Sequence, residues 1–135
     1  MQDDHLRGVG LKVTVPRVKI LQLLESEDNR HWTAEELHSA LRQQACAVGL
    51  ATVYRVLTQF EEAGLVKRHH FEGNTAVFEL DREEHHDHLV CVRCGTVVEF
   101  VDEVIESCQV EIANKNGFKL TDHTLVIYGF CPSCR

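Results

Sequence analysis

Apolar positions in the first eighty residues recur at helical spacing. Thr14, ahead of Pro16, marks a helix start, because proline is tolerated in a first turn, and the run Val18-Lys-Ile-Leu-Gln-Leu-Leu24 supplies an apolar face. Thr33-Ala-Glu-Glu36 has the spacing of a capping box, in which threonine and glutamate satisfy each other's backbone donors. Ala34, Leu37 and Leu41 follow on one face. Leu50, Val53, Leu57 and Phe60 form the stripe of a third helix, expected from about Leu50 to Ala63 and stopped by Gly64. Thr52, Arg55, Gln59 and Glu62 repeat that spacing on another, polar face. The pattern then becomes that of a hairpin, Leu65–Phe71 and Thr75–Leu80 about a Gly73-Asn74 turn.

Three short helices closing on a hairpin predict a winged helix-turn-helix, with the last helix in the major groove and the hairpin as wing. A small helical domain with no DNA role would show the same amphipathic stripes. Tyr54 and Arg55 sit where base-edge and phosphate contacts would arise, and Lys12, Arg17, Lys67 and Arg68 flank them with positive charge. The half-chain is not basic, so composition leaves both readings open.

Beyond residue 80 the pattern is sheet, helix, sheet. Leu89–Cys91 and Thr96–Phe100 read as strands. Val101, Val104, Ile105, Cys108 and Ile112 mark a helix that Gly117 ends, and Leu120–Phe130 reads as a long strand. The whole is α+β: an N-terminal winged helix-turn-helix domain over 1–80, a hinge at 81–86 and a small C-terminal α/β domain over 87–135. A unit of about fifty residues buries little surface alone and should need a metal, a partner subunit, or both.

The 135 residues include 44% hydrophobic and 26% charged, ordinary for a soluble globular chain. No apolar run approaches the ~20 residues of a membrane helix, so a transmembrane role is excluded. The Met-Gln-Asp-Asp-His start is not a secretory signal, and the expected compartment is the cytoplasm, where thiols stay reduced. The net charge of −7 divides unevenly. Residues 1–80 carry nine basic and eleven acidic residues, and residues 81–135 carry five and ten.

Of six cysteines, five lie in the second half. Cys91-Val-Arg-Cys94 and Cys131-Pro-Ser-Cys134 can each chelate one ion from a tight turn, and together they complete tetrahedral sulfur coordination. Four thiolates leave no position for substrate, which predicts a structural Zn2+. A redox dithiol is the rival, but two copies outside a βαβ context favour zinc. Cys46 and Cys108 read as small buried apolar residues.

His85-His-Asp-His88, with Glu79 before and Glu99 after, forms a second constellation. On a strand, His86 and His88 point one way and His85 and Asp87 the other. Mixed nitrogen and oxygen donors suit zinc, ferrous iron, manganese or cobalt. A solvated polar linker over Asp81–His88 is the bland alternative. His31 and His123 stand alone, where a surface or core role is commoner than ligation, and His5, His38, His69 and His70 are read as non-ligating. No HExxH, G-x-S-x-G or Walker A sequence occurs, and Gly8-Val-Gly10 is no dinucleotide fingerprint.

Four segments together resemble the ferric uptake regulator family, its iron-responsive branch most closely. They are Gly10-Leu-Lys-Val-Thr-Val-Pro-Arg17, Gly49-Leu-Ala-Thr-Val-Tyr-Arg-Val-Leu57, His69-His-Phe-Glu-Gly73 and His85-His-Asp-His-Leu-Val-Cys-Val-Arg-Cys94. The resemblance spans nearly the whole chain. It implies a dimeric, metal-dependent repressor of operator DNA whose C-terminal domain dimerises. It implies DNA contacts from Lys12, Arg17, Thr52, Tyr54 and Arg55, with Tyr54 and Arg55 reading the operator and Lys12 near the minor groove.

The resemblance also implies three metal sites. The regulatory Fe2+ site would use His31, Glu79, His88 and Glu99, with His86 a further ligand, and Mn2+, Co2+ or Zn2+ could substitute. A second site would use His85, Asp87, Glu106 and His123. Cys91, Cys94, Cys131 and Cys134 would hold structural zinc. Peroxide-sensing relatives carry aspartates where this chain has Glu79 and Glu99, which points away from that branch. Ligands drawn from both halves imply that metal binding selects the arrangement that fits successive major grooves. Pairing of dimers into tetramers stays open. So do a zinc- or manganese-responsive regulator and, from another class, a zinc-dependent hydrolase or a zinc-stapled adaptor.

Overall fold

The computed structural model describes residues 2–26, 31–71, 75–82 and 85–135. Its contacts divide the chain into two compact units, Met1–Arg82 and Glu83–Arg135.

The first unit holds helices α1 (Gln2–Gly8), α2 (Val15–Leu24), α3 (Ala34–Gln43) and α4 (Leu50–Glu62), then the antiparallel strands β1 (Val66–His70) and β2 (Ala76–Leu80). Each boundary has a local cause. Thr14 caps α2, its hydroxyl accepting from the Arg17 N–H. The expected capping box forms: the Thr33 N–H donates to Glu36 Oε1 at 2.8 Å and the Glu36 N–H to Thr33 Oγ1 at 3.1 Å. At the end of α4 the Gly64 N–H donates to the Glu61 carbonyl and the Leu65 N–H to the Phe60 carbonyl. This closing motif needs a left-handed residue, and Gly64 adopts φ +79°.

Ile20, Leu21 and Leu24 of α2, Leu37 and Leu41 of α3, and Val53, Val56, Leu57 and Phe60 of α4 share one core with Val66 and Phe78 of the hairpin. Leu6 of α1 is buried in the same cluster. The sequence reading missed α1, because Leu6 is its only strongly apolar residue. Side chains of Gln2 and His5 anchor the helix to Glu25 at 3.0 and 3.3 Å. The Gly73-Asn74 turn lies outside the described residues.

A third, one-residue pairing extends the hairpin. Trp32 and Phe78 exchange backbone hydrogen bonds of 2.9 and 2.7 Å in an antiparallel bridge. β2, which carries Glu79, thus runs between β1 and the segment entering α3.

The second unit holds β3 (Asp87–Cys91), β4 (Val97–Phe100), helix α5 (Glu103–Lys115) and β5 (Val126–Gly129). The sheet order is β4-β3-β5, with β3 antiparallel to β4 and parallel to β5. Asp102 caps α5, accepting from the Val104 and Ile105 N–H groups at 2.9 and 3.1 Å. Gly117 at φ +73° ends it, with the Phe118 N–H on the Ala113 carbonyl.

Two expectations change here. The strand expected over Leu120–Phe130 is only Val126–Gly129. The Asp122 carboxylate takes the His123 N–H at 2.8 Å, a local bond that competes with strand pairing. β3 begins at Asp87, inside the stretch that read as polar linker. Its Asp87 and His88 are polar yet buried, so polarity was a poor guide to the boundary.

α5 buries no residue, and Val101, Val104, Ile112, Phe118 and Phe130 stand exposed. No helix among the described residues is long and apolar enough to cross a membrane.

Candidate functional site

The four cysteines come together in the second unit. Cys91 ends β3, Cys94 lies in the turn to β4, and Cys131 and Cys134 follow β5. One sulfur from each lies within 4.8 Å of the others. Cys94 Sγ and Cys131 Sγ are 3.7 Å apart. Zinc–sulfur bonds in a tetrahedron separate sulfurs by about 3.8 Å, so the spacing fits that ion.

Both turns aim backbone donors at sulfur: the Cys94 and Cys131 N–H groups point at Cys91 Sγ at 3.5 and 3.4 Å. These donors, Cys94 first, pull the Cys91 thiol down to about 5. Cys94 is also lowered, chiefly by the Thr96 hydroxyl. Its neighbour Cys131, more than burial, pushes the Cys134 thiol up to about 12. Crowded thiols that cannot all ionise are what a divalent cation would neutralise. Gly95, at φ +80°, closes the first turn.

A second cluster lies in the same unit. His85 precedes β3, Asp87 opens it, Glu106 is in the first turn of α5, and His123 precedes β5. His85 Nε2 lies 2.8 Å from His123 Nε2, 3.2 Å from Asp87 Oδ1 and 3.6 Å from Glu106 Oε1. His123 Nε2 lies 3.6 Å from Asp87 and 3.4 Å from Glu106. Asp87 is fully buried, and among the described residues neither its oxygens nor Glu106 Oε1 accept a well-directed hydrogen bond, the two imidazoles only lying alongside. A buried carboxylate so arranged is costly unless a cation answers it, and two imidazoles with two carboxylates suit a borderline divalent ion. Such an ion would tie α5 to the sheet.

The residues assigned to the regulatory site fall into two sets. In the first unit, the Trp32–Phe78 bridge puts His31 opposite Glu79, with His31 Nε2 2.9 Å from Glu79 Oε2 and both side chains buried. In the second unit, His88 and Glu99 are register partners on β3 and β4. His86 Nε2 lies 3.6 Å from Glu99 Oε1, and its ring packs edge-on to His88 at 4.8 Å. The predicted alternation therefore holds: His86 and His88 form one set, His85 and Asp87 another.

The first unit adds a residue that sequence reading set aside as non-ligating. His69 Nε2 is 2.6 Å from Glu79 Oε1. Hairpin pairing carries the signal: Lys67 opposes Glu79, so His69 is its diagonal neighbour on the same face.

On α4, Tyr54 and Arg55 are exposed and Thr52 is half-buried. The Tyr54 hydroxyl donates to Glu35 Oε1 at 2.8 Å, and that bond raises its pKa. Gly49 caps α4 without a side-chain hydrogen bond, which leaves first-turn N–H groups suited to a phosphate. Lys12 is exposed. Arg17 donates to the Lys12 carbonyl at 2.8 Å and to Gln59 Oε1 at 2.9 Å, joining the loop before α2 to α4. Arg68, expected beside phosphates, instead pairs with Glu61 at 3.2 Å and lies 5.0 Å over the Phe78 ring, locking the hairpin to α4.

The profile of the ferric uptake regulator family matches residues 8–128. The chain is 59% identical over 134 residues to the ferric uptake regulation protein of Legionella pneumophila, covering 99% of this chain and 98% of that one. Among solved structures it is similar to the Vibrio cholerae ferric uptake regulator, with 53% identity, a TM-score of 0.91, and 97% and 100% of the two chains covered. It is similar too to the Pseudomonas aeruginosa ferric uptake regulator solved with manganese, with 55% identity, a TM-score of 0.79 and 98% of each chain covered.

Proposed function

Because the chain belongs to the ferric uptake regulator family, we propose that it is a metal-dependent transcriptional repressor that binds operator DNA as a homodimer. Its regulatory metal is Fe2+, its targets are iron-uptake genes, and it works in the cytoplasm. The observation that carries this reading is the division of ligand groups: His31 with Glu79 beside the winged helix, and His86, His88 and Glu99 on the sheet of the second unit. Thr52, Tyr54 and Arg55 on α4 read the operator, and Lys12 and Arg17 support them at the backbone.

When bound, a divalent ion supplies the charge that links ligands from the two units. His31 and Glu79 then tie the winged helix to one arrangement, and α4 of each protomer meets a successive major groove. The gain in operator affinity equals the preference of these ligands for that arrangement. The Vibrio cholerae ferric uptake regulator shows structural rearrangement of its DNA-binding domains, which supports a change of arrangement of this kind.

Cys91, Cys94, Cys131 and Cys134 would hold a structural zinc, and His85, Asp87, Glu106 and His123 a second ion, as the convergence of their ligand atoms supports. The exposed apolar residues of α5 and the sheet suit a homodimer surface. A manganese-responsive regulator is the second reading, favoured by the manganese in the Pseudomonas aeruginosa structure. The protein is read as a regulator and not an enzyme: four-thiolate coordination leaves no open position for a substrate.

His31→Ala and His88→Ala should each lower metal-dependent operator affinity at least tenfold, with the zinc content and melting temperature of the wild type. Operator binding by both variants at wild-type strength, measured by fluorescence anisotropy, would refute the divided site.

A further inference from the structure

Glu79 occupies the middle of three paired segments in the first unit and is 1% exposed. Each of its carboxylate oxygens meets a different histidine. Oε2 lies 2.9 Å from His31 Nε2, and Oε1 lies 2.6 Å from His69 Nε2. His69 sits on β1, and its ring stacks on Phe71 with 5.3 Å between centroids and 5° between planes. The stack and the strand pairing together fix where Nε2 points.

We propose that His69 is a positioning residue for the regulatory metal. With its proton on Nε2, it donates to Oε1 of Glu79 and holds the carboxylate so that Oε2, on the His31 side, faces the ion. This rests on the reading of Glu79 as a regulatory ligand and adds to it. A carboxylate that could rotate would alternate between one-oxygen and two-oxygen binding. A short charge-assisted bond on one oxygen removes that freedom and favours one-oxygen coordination. His69 belongs to the wing strand, so the bond also makes ligand geometry depend on the hairpin of the DNA-binding unit.

The probe is Co2+, whose visible absorption bands report its donor set. It is titrated into the full-length, zinc-loaded protein in a His123→Ala background, which weakens the second cluster. His69→Ala should weaken Co2+ binding by about 10–100-fold, the usual effect of removing a partner of a ligand. Bands at saturation should weaken towards those of a higher-coordinate Co2+, because Oε1 is freed to join Oε2 on the ion, while no nitrogen donor is lost. His69→Gln, which offers an amide N–H at the same reach, should recover most of the affinity.

Unchanged affinity in His69→Ala overturns the proposal. A change of bands that marks a lost nitrogen donor overturns it too, because His69 would then be a ligand itself. A His69→Gln variant that folds but binds as weakly as His69→Ala counts against it in the same way. His31→Ala separates the two levels: if it leaves affinity and bands unchanged, the regulatory site itself is misassigned.

Discussion

The two units are held by different forces. The first closes on a continuous apolar core in which Ile20, Leu24, Leu37, Leu41, Leu57, Phe60 and Phe78 are wholly buried. The second buries Asp87, His88, Val90 and Cys91, while α5 buries nothing. At roughly 1.5–3 kcal/mol for each fully buried large apolar side chain, burial alone stabilises the first unit. It cannot do so for the second. Ligands converge there instead: four sulfurs in one cluster, two histidines and two carboxylates in the other. Solvent-driven packing holds the first unit together, whereas the second gathers groups able to hold metal and leaves apolar surface exposed.

The sharpest way to break that comparison is to remove the zinc. Structural zinc sites contribute apparent free energies on the order of 10 kcal/mol. Cys131→Ser, or a strong chelator, should destabilise β3–β5 and α5 and shift dimers towards monomers, while α2–α4 keep their protection. Hydrogen exchange reads this directly, and simultaneous loss of protection in both units would refute independent stabilisation. The converse test is Leu57→Ala, which should cost about 2–5 kcal/mol through the cavity it leaves. It should lower the melting of the first unit while zinc stoichiometry stays that of the wild type.

A smaller effect follows from the thiols. In the metal-free fold Cys134, pushed up to about 12, keeps its proton at neutral pH, and zinc must displace it. Cys91, lowered to about 5, is already ionised there. Zinc affinity should therefore fall as pH falls, by about tenfold per unit for each proton displaced, since ligands must be deprotonated. Below about 5 the slope should steepen as Cys91 also takes up a proton. A chelator competition at stepped pH measures it, and a flat profile through neutrality would remove the crowded-thiol account.

The units also differ in how far the sequence announced them. Stripes such as Leu50, Val53, Leu57 and Phe60, the Thr33–Glu36 box and the Gly64 stop were legible, because burial and capping leave periodic marks. α1 was not, since one buried leucine and two side-chain bonds to Glu25 leave no period. In the second unit the paired cysteines were plain. The start of β3 was hidden because its first residues, Asp87 and His88, are polar though buried, and the strand near Leu120 was overextended because the Asp122 bond cannot be read from hydropathy. The sets around His31 and His123 came from family resemblance, not spacing: their members lie on separate elements and meet only through tertiary pairing. His69 was passed over for the same reason, its tie to Glu79 following from hairpin register.

The most direct test of the whole account is operator binding by fluorescence anisotropy at fixed salt, with the four-cysteine zinc left in place. Ferrous iron is titrated anaerobically against zinc and manganese. The account predicts that free Fe2+ switches binding on, since mixed nitrogen and oxygen ligands suit that ion. Equally tight binding with a chelator present would leave the winged helix standing and contradict the metal switch.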